Sequence, residues 1–314
     1  MFADPAPAGA APFRRSLVTF ASLAAAPACA PPDHRSVSQI TSYSDCGLKY
    51  RLQRRDGVPE QPQWASIGGS AFHAAVEQME RAAAGAGAEL NSNGVGWQEA
   101  GACFDLDQLW LACFNHEISE TCAKNPDWPQ DSWRASNRGA EGYTWWLAEG
   151  VDMLRRYVAW RTEWDKEYVI ARAADGTPII EYEFVLNVDG VPIKGVIDSA
   201  WSHRSTGRLI VIDDKSGSRK PDDDLQLRTY GYALLYVAGV PVLDTPESWS
   251  GVYFNARKGE TSPPVPVITS DGWAELRYRV HAMDAADRAG IHLPRPSSFC
   301  GGCGVKYACP LRSR

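Results

Sequence analysis

Three residues in two neighbouring stretches carry the sharpest chemical signal in the chain. GVID ends in Asp198, and VIDDKSG holds Asp213 and Lys215 two positions apart. Both stretches open on short apolar runs of the kind that form buried strands. The strand period of two sends Asp213 and Lys215 to one side of a sheet and Asp214 to the other. Carboxylates beside an ammonium are costly to bury unless something pairs with them. A divalent cation does so naturally, because Mg²⁺ takes one or two carboxylates and keeps positions for water and phosphate. The lysine then orients or helps deprotonate an attacking water and offsets charge in the transition state. A surface salt-bridge cluster accounts for these residues equally well.

Other residues add weight only in combination. Gly69 to His73 places an imidazole in a helix, where a ring nitrogen can ligate a metal. Gln226 and Tyr230 lie four apart on one face of the helix that follows the Asp-x-Lys strand. Read alone, each is an ordinary structural residue. The chain then ends in FCGGCGVKYACP, with Cys300, Cys303 and Cys309 in a C-x2-C-x5-C spacing. Four thiolates suit either zinc or an iron–sulfur cluster, so this group is one ligand short.

The elements that must position these residues follow from periodicity. SVSQITSYSDCGLKYRLQRR reads as a helix capped by Ser36 or Ser38, and residues 68–84 as a second helix opened by a Gly-rich turn. Residues 85–98 read as a loop. Helical patterning resumes over 105–168, rich in tryptophans that read as core. From residue 178 the period becomes two. IIEYEFVLNV and VPIKGVIDSAW flank Asp189-Gly190, a two-residue hairpin signal. The strand RLIVIDDK, a helix with an acidic start at 221–239, the strand WSGVYFNAR and a last helix at 271–290 complete a mixed α/β sheet.

In order, these motifs resemble the PD-(D/E)XK nuclease superfamily, specifically its RecB-like and Cas4-like branch. That branch carries an early cysteine, G-x3-H, a strand aspartate, D/E-x-K, Q-x3-Y and C-x2-C-x5-C. Here the pattern reads Cys46, Gly69 to His73, Asp198, Asp213 to Lys215, Gln226 to Tyr230, and Cys300, Cys303 and Cys309. The resemblance covers residues 36 to 310. It implies a central mixed sheet of the restriction-endonuclease type, flanked by helices and a helical lobe. An Fe–S cluster would join the N- and C-terminal segments.

It also implies that Asp198, Asp213, His73 and the backbone carbonyl of Asp214 hold Mg²⁺ or Mn²⁺. Lys215 would be the catalytic lysine, with Gln226 and Tyr230 shaping the site and contacting the DNA backbone. Cys46 becomes the fourth cluster ligand, with Gly47 where relatives usually show proline, and the resemblance favours [4Fe–4S] over zinc. Glu183 and Glu77 are candidate accessory acids. The activity implied is a metal-dependent DNA exonuclease acting on single strands or free ends, in recombination, repair, phage replication or CRISPR adaptation. The alternative is a non-catalytic DNA-end-binding module or helicase partner.

Composition sets the outer bounds. The chain has 314 residues, 44% hydrophobic and 22% charged, and a net charge of −6. That balance excludes a polycation that coats nucleic acid indiscriminately, though not a local basic groove. Candidate phosphate contacts are Lys49, Arg51, Arg54, Arg55, Arg219, Lys220, Arg257 and Lys258. Eight cysteines are too sparse for a disulfide scaffold. Cys29, Cys103, Cys113 and Cys122 read as plain buried residues. Residues 1–35 mimic a secretory signal but read better as a disordered Ala/Pro-rich extension, since reduced cysteines and a DNA substrate suit the cytoplasm. The expected division is 1–35 extension and 36–314 nuclease domain. Within the latter, 85–165 is a helical insertion, 178–260 the catalytic sheet and 299–310 the cysteine cluster.

Overall fold

Helical periods dominate the first half of the chain and strand periods the second, and the fold keeps that order. The computed structural model describes residues 33–89, 97, 104–218, 221, 223–241 and 245–312. The extension to residue 32, with Cys29, lies outside the described residues, as do Cys103, Arg219 and Lys220. Helices α1 (Val37–Asp45), α2 (Gly47–Arg54), α3 (Trp64–Glu89), α4 (Leu106–Lys124) and α5 (Tyr143–Trp164) come first. Strands β1 (Tyr168–Ile170), β2 (Ile180–Val188), β3 (Val191–His203) and β4 (Leu209–Lys215) follow. Helix α6 (Leu225–Ala233), strands β5 (Ser250–Asn255), β6 (Glu260–Thr261) and β7 (Val265–Pro266), and helix α7 (Ser270–Arg288) complete the order.

The strands form one mixed sheet in the order β1-β3-β4-β5-β6, with β2 also on β3 and β7 also on β5. Strand β4 runs parallel to β5, whereas β1, β2 and β4 all pair antiparallel to β3. Parallel neighbours need a crossover, and α6 supplies it. Helices α1, α6 and α7 cover one face of the sheet, packing Ile40, Leu227 and Val280 against Ile193 and Val211. Helices α3, α4 and α5 cover the other, where Phe72, Trp110 and Trp146 meet Trp201, Ile212 and Phe254. The tryptophan-rich stretch is therefore core. Among the described residues no helix is long and apolar enough to cross a membrane.

Local chemistry explains the boundaries. Ser36 caps α1 by accepting from the Gln39 N–H, and Asp189 and Gly190 both take positive φ (48° and 88°) at the hairpin turn. Two expectations need correction. The helix expected over 68–84 runs Trp64–Glu89, with Gly68 and Gly69 inside it, so the stretch expected as loop from 85 is helical to Glu89. The glycine serves packing here: a Cβ on Gly68 would come within 2.0 Å of the Trp146 ring, and one on Gly150 within 1.9 Å of Trp110. The first expected helix is likewise two, broken at Cys46, whose backbone is extended (φ −166°, ψ 104°).

Candidate metal and catalytic centre

Strand β4 is buried from Leu209 to Asp214, and Lys215 emerges at its end. Apolar partners account for the buried run; they do not account for two buried aspartates. Asp213 is 1% exposed and Asp214 3%. Oδ1 of Asp213 and Oδ1 of Asp214 accept no hydrogen bond, and Oδ2 of Asp213 faces the Lys215 ammonium. The Lys215 ammonium forms an ion pair with Asp213 and donates to Gln226 Oε1 at 3.1 Å. The Gln226 amide in turn donates to the Tyr230 hydroxyl at 2.8 Å. On the neighbouring strand, Asp198 Oδ2 accepts the Asp214 N–H at 2.7 Å.

Helix α3 lays His73 over this group. Its Nδ1 lies 3.2 Å from Glu181 and 3.6 Å from Asp198 Oδ2. His73, Glu181 and Asp198 each offer a ligand atom, all within 4.8 Å of one another. A cleft of ≈ 470 Å³ opens beside them, lined by small residues of α3 (Ser66, Gly69, Ser70) with His73, Glu77 and Glu181.

Glu181 was not among the residues singled out in the sequence. Glu183 was, yet it lies exposed opposite Val196, away from the cluster. Glu77 pairs with Arg81 at 2.7 Å. The hairpin contained the signal: counting back from the Asp189-Gly190 turn sets Val191 against Val188 and carries Glu181 to the place facing Asp198. The flanking pairs Ile180↔Ser199 and Tyr182↔Ile197 confirm that register. Glu181 also holds φ at 41°, the left-handed region that a glutamate rarely occupies, a strain of the kind found at functional sites.

The electrostatics point the same way. Burial, with Asp198 beside it, pushes the Asp213 carboxyl up to about 7 despite Lys215. Burial also raises Asp198, against the pull of His73, and raises Asp214 well above the usual carboxylate range, with Asp198 adding to the rise. Burial opposes a charge on His73, but Asp198, Glu181 and Asp214 outweigh it and raise the imidazole to about 10. Acids that repel one another, with the buried Oδ1 atoms of Asp213 and Asp214 lacking donors, suit an additional positive charge. The donor set of carboxylates and one imidazole suits a hard divalent cation.

The sequence profile of the PD-(D/E)XK nuclease superfamily matches residues 34–310. The chain belongs to this superfamily. It is also similar to the Gene 69 protein of Mycobacterium phage D29, at 28% identity over 284 residues, covering 88% of this chain and 96% of that protein. The Gene 69 protein of Mycobacterium phage L5 is 28% identical over 298 residues, with the same shares covered. Members of the PD-(D/E)XK superfamily are generally metal-dependent nucleases, and the acidic centre at the end of β4 is where such chemistry fits this chain.

In this PD-(D/E)XK chain the surrounding residues have distinct places. Tyr230 is 5% exposed, its ring edge-on to Phe184 at 6.0 Å, which leaves little surface for a DNA contact. Arg257, expected at phosphate, instead grips Glu141 bidentately at 2.9 and 3.0 Å and donates to the Ser216 carbonyl at 2.8 Å. It stacks on Trp145 and so fixes the turn that follows Lys215. Arg51, Arg55 and Lys258 likewise have carboxylate partners. Lys49 and Arg54 have no ion pair among the described residues.

The C-terminal tail folds back onto α2. Val305 is 1% exposed against Leu48 and Leu52, with Cys46, Cys303 and Cys309 packed around this small core. Tyr307 donates to the Pro59 carbonyl and the Gln61 N–H to that of Gly304. The Arg295 N–H points at Cys46 Sγ (3.4 Å) and the Ser297 N–H at Cys300 Sγ (3.3 Å). That second contact lowers the Cys300 thiol from its ordinary range, whereas burial raises Cys309. Among the described residues no three cysteine sulfurs lie within 4.8 Å of one another. Gly47 has its own reason: a Cβ there would meet the Leu293 backbone nitrogen at 2.8 Å.

Proposed function

We propose that the chain is a metal-dependent DNA exonuclease acting on single strands or free ends. The observation that carries the hydrolytic reading is the buried pair Asp213 and Asp214, each with an Oδ1 that has no donor, beside His73, Glu181, Asp198 and Lys215. Asp198, Asp213, His73 and Glu181, with the Asp214 carbonyl, would hold Mg²⁺ or Mn²⁺. The cation, when bound, polarises the scissile phosphate and offsets the charge that develops on it.

The chain's own groups do the rest. Lys215, paired to Asp213 and bonded to Gln226, keeps one ammonium proton with which it can orient an attacking water. Gln226 and Tyr230 stand behind that lysine and restrict its rotamers. Arg257 holds the following turn. The small-residue wall of α3 leaves room for a sugar–phosphate backbone to approach His73.

Exonuclease rather than endonuclease action rests on the RecB-like motif order. The two mycobacteriophage relatives favour a phage replication, recombination or repair setting over CRISPR adaptation. Cys46, Cys300, Cys303 and Cys309 would hold a [4Fe–4S] cluster, structural in role, that ties the tail to α2. Zinc on the same four thiolates is the alternative. Absorbance near 400 nm in anaerobically purified protein separates the two.

The decisive test is end-labelled single- and double-stranded DNA with Mn²⁺, beside Lys215→Ala. Wild type shortens the DNA from its ends and the variant does not. Equal survival of the DNA in both would leave a non-catalytic end-binding module.

A further inference from the structure

A second groove lies away from the carboxylates, between α1, α7 and the segment leading to the cysteines. It has a volume of ≈ 480 Å³ and is lined by Tyr43, Tyr278, Arg279, Met283, Leu293 and Arg295, with no carboxylate side chain in its wall. The charged groups in its wall are two arginines, Arg279 tied to carboxylates outside the wall and Arg295. Tyr278 is 74% exposed and Leu293 72%, the most open of the large apolar side chains described. Tyr43 is held rigidly, its hydroxyl on the Ile291 carbonyl and its ring edge-on to Tyr50 at 5.5 Å. Arg279 is fixed from behind by Asp223 and Glu275. Arg295 has no ion pair among the described residues, and its guanidinium touches only the Ser44 carbonyl, at 3.4 Å.

Pre-set aromatic faces flanked by cations are how proteins hold single-stranded nucleic acid without reading its sequence. A purely apolar groove would suit a helix from a protein partner; two arginines and two tyrosines suit a polyanion that carries π faces. We propose that this groove is a second binding site for single-stranded DNA. It takes a base against Tyr278 and the flanking phosphates at Arg279 and Arg295.

The proposal rests on the DNA reading above, and the groove's neighbours connect it to that site. Arg279 bonds the Asp223 carboxylate at 2.6 Å, and Asp223 accepts the Tyr253 hydroxyl on its carbonyl at 3.0 Å. The Lys215 ammonium lies 5.8 Å from the Tyr253 ring. On the other side, the backbone of Arg295 meets Cys46. A strand seated here is retained by the protein while its end lies at the carboxylates. The cysteine clasp, by anchoring the 293–295 segment, then shapes a DNA-holding surface as well as a fold.

The test uses the full chain in EDTA, with a fluorescein-labelled oligothymidylate followed by anisotropy. Tyr278→Ala is expected to weaken binding about tenfold, and Arg295→Glu to weaken it further and flatten the salt dependence. An iododeoxyuridine strand, irradiated on the wild type, should crosslink at Tyr278. Cleavage of a dinucleotide with Mn²⁺, too short to reach the groove, should be unchanged in both variants. Wild-type affinity in both, or crosslinks confined to residues near His73, would overturn the groove. Lys215→Ala run in parallel keeps the two readings apart. Its loss of cleavage with undiminished oligothymidylate binding supports the nuclease, and equal cleavage removes the nuclease reading while the anisotropy still judges the groove.

Discussion

Arg35, Arg55, Asp284, Asp287 and His292 form one cluster of buried charge, and His73, Glu181, Asp198, Asp213, Asp214 and Lys215 form another. In the first, each carboxylate has an arginine at 2.6 or 2.8 Å, and Tyr50 adds a hydrogen bond to Asp287. Burial alone would raise both acids. Arg35 and Arg288 at Asp284, and Arg55, His292 and Arg35 at Asp287, instead hold them below the usual carboxylate range. In the second cluster four acids face two bases, and Asp198, Asp213 and Asp214 are pushed upward. The paired cluster joins the residue ahead of α1 to α7 and closes the fold. The other lies beside an open cleft, with more acids than bases. The first cluster gives each buried aspartate an arginine, whereas the second gives Asp213 only Lys215 and leaves Asp214 Oδ1 without a donor, an imbalance that a divalent cation would offset.

The sharpest way to break this contrast is Asp213→Asn. Cleavage should fall on the order of 10³-fold, the scale seen when transition-state charge loses a stabilising group. The metal-free protein should be no less stable, its Tm about 2 °C higher, because a charge that burial disfavours is gone. Mn²⁺ should then no longer raise Tm. A marked loss of metal-free stability would place Asp213 with the structural cluster. Arg35→Met is the mirror image. Removing one partner of a buried pair costs about 3–5 kcal/mol, read by denaturant unfolding, while cleavage per folded molecule stays at the wild-type level.

The contrast also marks what a sequence can show. Asp213 and Lys215 stand out in the sequence because β4 is short, apolar and ends in charge, and Asp198 because it is an acid inside a longer, largely apolar strand. Glu181 was missed in favour of Glu183, since strand alternation puts both on one face and only the register separates them. Arg257 looked like a free cation because Glu141, its partner, is more than 100 positions away in sequence. The paired cluster was invisible for the same reason: Arg35 and Asp284 are 249 residues apart, and no periodicity reports such a contact. The break at Cys46 was hidden by helical spacing on both sides. Leu293 passes close over Gly47 at that break, a tertiary contact that spacing does not report.

Glu181 and Glu183 sharpen the comparison at single-residue scale. Glu181→Gln should weaken Mn²⁺ binding about 10–100-fold, the usual cost of disturbing a ligand set or its immediate supports. Glu183→Gln, two positions along the same strand and opposite Val196, should leave it unchanged. Isothermal titration on both variants decides the matter. Equal weakening would mean that general negative charge, and not the Glu181–His73–Asp198 geometry, attracts the cation.

The smallest expected effect belongs to the paired cluster at acid pH. Near pH 4 the unfolded chain takes up protons on Asp284 and Asp287 before the native state does, because their native carboxyls are held low. Stability from these pairs is therefore complete above about pH 4, the ordinary aspartate range, and is lost as pH falls through the depressed native values. Each unit of depression corresponds to about 1.4 kcal/mol. The groups facing these acids include Arg35, Arg55, Arg288, His292, Tyr43 and Tyr50. The arginines keep their charge throughout, so the slope reports the carboxylates. Asp284→Asn should lower Tm at neutral pH and flatten its decline below about pH 4. An acid decline as steep in Asp284→Asn as in the wild type would mean that Arg35 and Arg288 do not hold this carboxylate low, and that the pairing at α7 is weaker than its distances imply.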